Sequence, residues 1–468
     1  MFIQSIRLRL HACCRIAGAL ALTGHGLVAQ ADPSLSLDQA LQLAQQRSLQ
    51  VVAQDAAASG ARDMAVAAGQ RPDPSLRVSL DALPINGPNR FSLTRDDFTM
   101  ATIGVTQELT REGKRQARST RFEREAATAE ASRALVISRL QQEAAAAWLD
   151  RYHLERIRDA LRTQRNEAGL QVDAAEAAYR GGRGSQADVF AARSAVALVE
   201  DRIDQIDSQV ASAVTQLARW VGEDAKRPLL GQPATDSMPL SAEALEARFA
   251  HHPEIEVLQR KEAVAQAEAD LAVAEKRPDW SVGLTYGKRG PAYADFVFLS
   301  LSVPLQWDPK NRQDRAVAAR LAAVEQLRAE RGDATRSHVA ETLTMLQEWH
   351  GNRQRLARYD ATLLPLATER TRAANAAYRG GGSGLMPLLE ARRAEIDTRI
   401  EQLRLAKDTD RLWARLTYLL PASHANPNPN PNPNPNPNPN PNPNPNPNPN
   451  PNPNPNPNPN PAPALARP

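Results

Sequence analysis

Cysteine is all but missing from this chain. Its 468 residues hold two, Cys13 and Cys14, both beside the N-terminus. That excludes a disulfide scaffold, a thiolate zinc site and a cysteine nucleophile from the body of the protein. Aromatic residues are scarce at 4%, and proline is unevenly spread: of 36, 18 stand in one C-terminal tract, whereas the 65 residues from 114 to 178 contain none. Past the first 31 residues no apolar run reaches the ~20 residues of a membrane-spanning helix. Charge is nearly balanced, with 57 basic and 53 acidic residues, so bulk charge gives no reason to expect a nucleic acid partner. His153, His251, His252, His338, His350 and His424 are scattered, with no second ligand at metal-site spacing. His251-His252-Pro253 reads as a helix break. The glycine-rich turns lack the lysine and strand-to-helix context of a phosphate loop. No catalytic, cofactor or metal constellation emerges, and the chain reads as a non-enzyme.

The ends carry their own signals. Arg7, Arg9 and Arg15 are basic, residues 16–22 are apolar, and Ala29-Gln30-Ala31 fits a small-x-small cleavage site, so residues 1–31 read as a signal peptide. Leu10-His11-Ala12-Cys13 faintly resembles a lipid-attachment box, but it precedes the apolar run instead of following it. Cleavage would remove both cysteines and three arginines, lowering the formal charge from +4 to +1. Residues 422–468 form a tail with 18 consecutive Asn-Pro dipeptides from Asn426 to Pro461. Proline there cannot donate to a ladder or continue a helix. The tail reads as neutral repeat expansion, with a semi-extended tether as the other account.

What remains is a duplication. Ala177-Ala178-Tyr179-Arg180-Gly181-Gly182 matches Ala376-Ala377-Tyr378-Arg379-Gly380-Gly381 at an offset of 199, and Ala192-Arg193 matches Ala391-Arg392 at the same offset. Arg71-Pro72-Asp73-Pro74-Ser75 matches Arg277-Pro278-Asp279-Trp280-Ser281 at 206, and Gly104-Val105-Thr106-Gln107 falls on Ser302-Val303-Pro304-Leu305 at 198. A longer loop between the strands of the first copy accounts for the difference. The repeats span 32–227 and 240–421, joined by a linker at 228–239 rich in proline and glycine.

Each copy reads as helix, strand, strand, long helix, helix. Ser36 with Gln39 three places on is a capping box opening the first helix, and its counterpart opens near Ser241. Strands are expected at about 75–80, 98–108, 281–286 and 296–304, from alternations such as Val297, Leu299, Leu301, Val303. They approach the 9–11 residues of a tilted membrane strand. Eight of 21 aromatics (Phe91, Phe98, Trp280, Tyr286, Tyr293, Phe296, Phe298, Trp307) fall within 71–109 and 277–307. Such residues gather where a barrel wall meets headgroups, although a half-buried soluble sheet shows similar alternation.

From Val189 to Trp220 ten apolar residues step by three and four: Val189, Ala192, Val196, Val199, Ile203, Ile206, Val210, Ala213, Leu217, Trp220. That is a sustained 3.5-residue seam. Leu140, Ala147, Leu154, Leu161, Ala168 and Ala175 repeat every seven. In the second copy Trp349, Leu356 and Leu363 interleave with Tyr359, Leu366 and Ala373, and Leu389, Ile396 and Leu403 form a looser seam. Coiled-coil hairpins are expected at about 114–221 and 312–420, turning at glycines 181–184 and 380–384. The proline-free stretch alone would reach nearly 100 Å at ~1.5 Å per residue. Four strands cannot close, and open edges in lipid leave backbone groups unpaired. Two chains would supply eight strands, a barrel that side chains fill; three supply twelve, the smallest count here that leaves a channel.

At the turns the residues resemble the outer-membrane efflux (TolC) family. The pattern is tyrosine, glycine at +3, a small residue at +6, an acid at +9, an aliphatic at +10 and alanine at +13. The first copy has Tyr179, Gly182, Ser185, Asp188, Val189 and Ala192; the second has Tyr378, Gly381, Gly384, Leu388 and Ala391, with Pro387 in place of the acid. The resemblance covers nearly all of residues 36–421. Thr106-Gln107-Glu108-Leu109 before Gly113-Lys114-Arg115, and Val303-Pro304-Leu305 before Asp308-Pro309-Lys310-Asn311, resemble the cobalt–zinc–cadmium branch.

The resemblance implies a mainly α protein with a small membrane β part. Three copies would form a 12-stranded outer-membrane barrel continued by a periplasmic α-helical tunnel. It implies a passive export duct in a Gram-negative outer membrane, lying in outer-membrane lipid, for heavy-metal cations. Its partners would be a periplasmic membrane-fusion adaptor and an inner-membrane pump of the resistance-nodulation-division type. Tyr179, Gly182, Ser185, Val189, Tyr378, Gly381, Gly384 and Leu388 become candidate adaptor-docking positions, and Asp188 and Glu390 candidate gate acids. A drug-efflux or type I protein-secretion duct is the nearest alternative. A soluble periplasmic coiled-coil scaffold is the alternative of another class.

Overall fold

A computed structural model describes residues 34–238 and 252–419. The expected signal peptide, the helix start near Ser241, His251, His424 and the Asn-Pro tail lie outside the described residues. The elements run α1 (Leu37–Arg47), α2 (Leu49–Gly69), β1 (Ser75–Asp81), β2 (Met100–Leu109), α3 (Glu112–Arg180), α4 (Gln186–Val221), α5 (Pro253–Glu275), β3 (Trp280–Lys288), β4 (Phe296–Ser302), α6 (Gln313–Arg358), α7 (Leu364–Arg379) and α8 (Leu385–Thr417). Most of the described chain is helical, with one small sheet.

Local chemistry sets the boundaries. Ser36 Oγ accepts from Gln39 N and the Gln39 side chain accepts from Ser36 N, both at 3.2 Å, which closes the capping box. The expected single first helix is divided, because Ser48 ends α1 in an extended conformation and caps α2. At the corresponding place in the second copy, His252 caps α5 and Pro253 occupies its first turn, where a missing N–H costs nothing. Helix α3 runs 69 residues without interruption. Strand β2 starts at Met100, later than expected, because Asp96 Oδ2 accepts from Phe98 N and Thr99 N and holds both in a turn.

The two copies share one sheet and do not form separate cores. Strand order is β1-β2-β3-β4, all antiparallel, with β2 of the first copy against β3 of the second. Helix α3 packs on α2, α4, α5 and α8, and α6 packs on α5 and α8. On α4, seven of the ten seam residues are buried and Val196, Ile203 and Trp220 are half-buried. Each large side chain so buried contributes about 1.5–3 kcal/mol. The main core gathers Leu35, Trp148, Leu149, Leu217, Trp349, Trp413 and Leu416. Trp148 is fully buried and donates to Leu35 O at 3.1 Å. The linker is pinned to that core: Leu35 N donates to Pro228 O, and Leu230 N to Leu35 O.

The second seam departs from its expected course. Trp349 and Leu356 are buried and Tyr359 is half-buried, but Leu363, Leu366 and Ala373 are exposed. A π-helical turn at Tyr359–Leu363 separates α6 from α7. Pro365 follows, with no N–H to give and a ring that crowds the carbonyl four residues back. The widened turn relieves that clash and rotates the residues beyond it off the seam.

Candidate functional site

The sheet separates two chemistries. In register across it lie Leu80, Ala101, Lys288; Val78, Ile103, Tyr286, Val297; Leu76, Val105, Leu284, Leu299; and Leu301 beside Val282. Apart from Lys288 and Gln107 toward its two ends, this face is apolar and open: Leu299 is 79% exposed, Val78 71% and Leu76 67%. The opposite face carries Ser75, Arg77, Ser79, Thr102, Thr106, Gly283, Thr285, Ser300 and Ser302, with Phe296 and Phe298 at one end. Hydroxyls bond across it, Ser79 with Thr102 at 2.7 Å and Thr102 with Asp81 at 2.8 Å. At its base, Lys114 Nζ meets Asp279 Oδ2 at 2.7 Å, both ends nearly buried, joining the first copy's long helix to the second copy's strand. In the sequence Asp73 and Asp279 mark the repeat, and their charge is the available signal of this pair.

The hairpin tips are near copies of each other. Gly181 N donates to Ala177 O and Gly182 N to Tyr179 O; Gly380 N donates to Ala376 O and Gly381 N to Tyr378 O. Gly182 has φ 70° and Gly381 φ 71°, the left-handed conformation that favours glycine. The returning helices then start differently. Ser185 caps α4, accepting from Asp188 N at 3.2 Å, while Asp188 Oδ2 accepts from Ser185 N at 2.9 Å and Oγ at 2.7 Å. The Ser185 backbone N–H, then its hydroxyl, holds the Asp188 carboxyl below the usual range. At α8 the cap is Gly384, with no side-chain bond.

The candidate docking positions separate by burial. Tyr179, Gly182, Ser185, Gly381 and Gly384 are exposed and Tyr378 is half-buried. Val189 and Leu388 are buried, packed with Ala175, Ala192 and Leu385 in a cluster that joins the two hairpins. They hold the tips together, and a partner cannot reach them without separating the hairpins. Leu385 and Ala175 belong to the same cluster and were not singled out for it from sequence. Glu176 ties the arms of the first hairpin, meeting Arg193 at 2.7 Å and Arg180 at 3.4 Å. Of the candidate gate acids, Asp188 is engaged by Ser185. Glu390 is exposed and lines a groove of about 340 Å³ with Ala195, Leu198, Met386 and Leu389.

The fold joins histidines that the sequence leaves apart. His252 and His338 lie with ring centroids 4.1 Å apart, and His338 Nε2 is 3.0 Å from Glu254 Oε2. His153 Nε2 is 2.7 Å from Asp410 Oδ2 in a buried pair. Among the described residues no group of three or more His, Cys, Asp or Glu side chains is arranged to hold a metal ion. No described helix is long and apolar enough to cross a membrane, which leaves the sheet's own relation to lipid open.

The architecture matches that of solved outer-membrane proteins, channels among them. The outer membrane protein VceC from Vibrio cholerae superposes with TM-score 0.67 at 18% identity, over 82% of this chain and 95% of that one. CusC, whose structures concern folding and transmembrane channel formation, gives 0.67 at 14%, over 82% and 91%. The CmeC outer membrane channel of Campylobacter jejuni gives 0.66 at 12%, over 83% and 87%. At these identities the likeness establishes the fold. No protein-family model matches the chain, and no curated protein matches it.

Proposed function

We propose that this chain is a TolC-family outer-membrane duct of a tripartite export system. Three copies close twelve strands into a barrel and continue it as a helical tunnel. Transport through it is passive; energy comes from an inner-membrane pump bridged by a periplasmic adaptor at the hairpin tips. The observation that carries this reading is the sheet, apolar and exposed on one face, hydroxyl-lined on the other, with β1 and β4 as open edges. Leaving ten large apolar side chains partly in water would cost on the order of 10 kcal/mol, comparable to the whole stability of a typical domain. Lipid on that face and further strands on those edges remove the cost. A soluble scaffold offers no such cover.

For cargo, the segments around Gln107 and Pro304 support divalent or monovalent heavy-metal cations, with selectivity residing in the pump. The test is a metal and drug susceptibility panel on a strain lacking the chain. Sensitisation to zinc, cobalt, cadmium, copper or silver supports the metal reading. Sensitisation to organic compounds alone moves the chain to a drug-efflux duct. Outer-membrane fractionation with a heat-sensitive trimer tests the duct itself, and a soluble monomer overturns it.

A further inference from the structure

We infer that the contacts joining the two copies within one chain recur between neighbouring chains, in a strand register that the repeat dictates, with Asp73 of one chain paired to Arg312 of the next. The inference rests on the proposed closed barrel and adds the identity of the residues that close it. Three intrachain contacts define the seam between copies: β3 on β2, α5 on α3, and Asp279 on Lys114. The 206-residue offset carries β3 to β1, α5 to α2 and Asp279 to Asp73. The 198-residue offset carries β2 to β4 and Lys114 to Arg312, cation for cation.

Every one of these equivalents stands open in the single chain. Strands β1 and β4 are the sheet edges. Helix α5 packs on both long helices, α3 and α6, whereas among the described residues α2 packs chiefly on α3. The result shows at matched positions. Val51 and Val257 are both buried at 7%, but Leu49 is 82% exposed where its equivalent Ile255 is 4% exposed. Asp73 and Arg312 are exposed and form no ion pair among the described residues, although Asp279 and Lys114 are nearly buried together. One occupant satisfies all three vacancies at once, namely a second copy placing its β4, α6 and Arg312 against β1, α2 and Asp73.

The register follows by transfer. Gly104 opposite Thr285 becomes Ser302 opposite Ser79; Ile103 opposite Tyr286 becomes Leu301 opposite Leu80; Gln107 opposite Val282 becomes Leu305 opposite Leu76. Leu301 meets Leu80 and Leu305 meets Leu76, so the apolar face continues unbroken across the junction, which a one-residue slip would destroy. The exposure of Leu305 and Trp307, 67% and 87%, is then the exposure of a strand extension awaiting its partner. An arginine at 312 in place of a lysine adds a planar fork that a carboxylate can accept with both oxygens.

The test uses the full chain with Cys13 and Cys14 replaced by serine, expressed in a Gram-negative envelope. Ser79→Cys with Ser302→Cys should oxidise to covalent dimers and trimers, since facing antiparallel residues lie about 4.5–5.5 Å apart, within disulfide reach. Within one chain the two sites are three strand spacings, about 14 Å, apart across the sheet and six residues out of register along it, so any bridge is between chains. Ser75→Cys with Ser302→Cys, four residues out of register, should remain uncrosslinked. Separately, D73R should abolish the heat-resistant trimer and D73R/R312D should restore it. Crosslinking of the 75/302 pair instead, or a trimer with no 79/302 crosslink, overturns the register while leaving the duct standing. Failure of R312D to rescue D73R overturns the ion pair. A monomer in the unsubstituted background overturns the duct reading as well.

Discussion

Whether Asp188 serves as a helix cap or as an ion-reading acid can be decided at the first hairpin tip. Its carboxylate and the Ser185 hydroxyl share a 2.7 Å bond, and each also holds the other's backbone N–H. Replacing a capping serine by alanine typically costs about 1 kcal/mol. Ser185→Ala and Asp188→Ala should therefore each speed amide exchange about fivefold over residues 183–189. The shared bond is lost in either variant, so the double variant should cost about 1.5 kcal/mol, a gain of roughly tenfold, well short of the product of the two. The Asp188 carboxyl titrates below the ordinary range because of Ser185. The cap is accordingly complete above the unfolded carboxyl pKa and is lost as pH falls through the lowered folded value. Hydrogen exchange by mass spectrometry reads the cap, and reversal potentials in planar bilayers read the ion preference. Strict additivity, or unchanged exchange in Ser185→Ala, would refute the capping argument. A shift in cation preference in Asp188→Asn, with none in Ser185→Ala, would return the residue to the gate.

Three further perturbations test other parts of the molecule. Leu284→Arg places a charge on the apolar face and should reduce outer-membrane assembly, at about 2–4 kcal/mol if the residue sits at the bilayer midplane, while the adjacent Thr285→Arg on the polar face should assemble and alter conductance. Lys114→Met leaves Asp279 without its cation in a nearly buried site and should destabilise the protein by about 3–5 kcal/mol in denaturant titration, with Lys114→Met/Asp279→Leu milder than Lys114→Met alone. Burial, reinforced by His338, pushes the His252 pKa down to about 4. The native state then holds His252 neutral while the unfolded chain protonates below its ordinary 6.5, so stability falls as pH drops from about 6.5 toward 4, by at most about 3 kcal/mol, and His252→Asn should flatten that slope in thermal denaturation.

Much of the fold was readable because its signals are periodic. Val297, Leu299 and Leu301 alternate in sequence and share the apolar face in the sheet; the α4 seam steps by three and four and is buried at seven of its ten positions. Signals were lost where a single residue resets the phase. Pro365 demands the π-helical turn ahead of it, and Leu363, Leu366 and Ala373 then leave the seam that their spacing had assigned them. Ser48 divides the first helix for a related reason, since a side chain that can cap competes with helix continuation. The tip cluster was only half visible: Val189 and Leu388 were noticed as members of a turn pattern, and only packing showed that they face each other's hairpin. Burial between elements far apart in sequence leaves no local trace.

The departures between the copies carry as much physical content as the matches. Where the first tip has Ser185 and Asp188, the second has Gly384 and Pro387, and the two losses belong together. An acid at the third helical position is useful because it accepts from the cap's N–H and hydroxyl, and that position's own N–H is useful because it donates to the cap's oxygen. Glycine at the cap removes the oxygen. The N–H three residues on then has no cap to serve, and proline, which lacks it, is tolerated in the first turn. One substitution makes the other permissible. The acid of the turn pattern is present where the capping serine is and absent where it is not, as a reciprocal hydrogen-bonding pair requires.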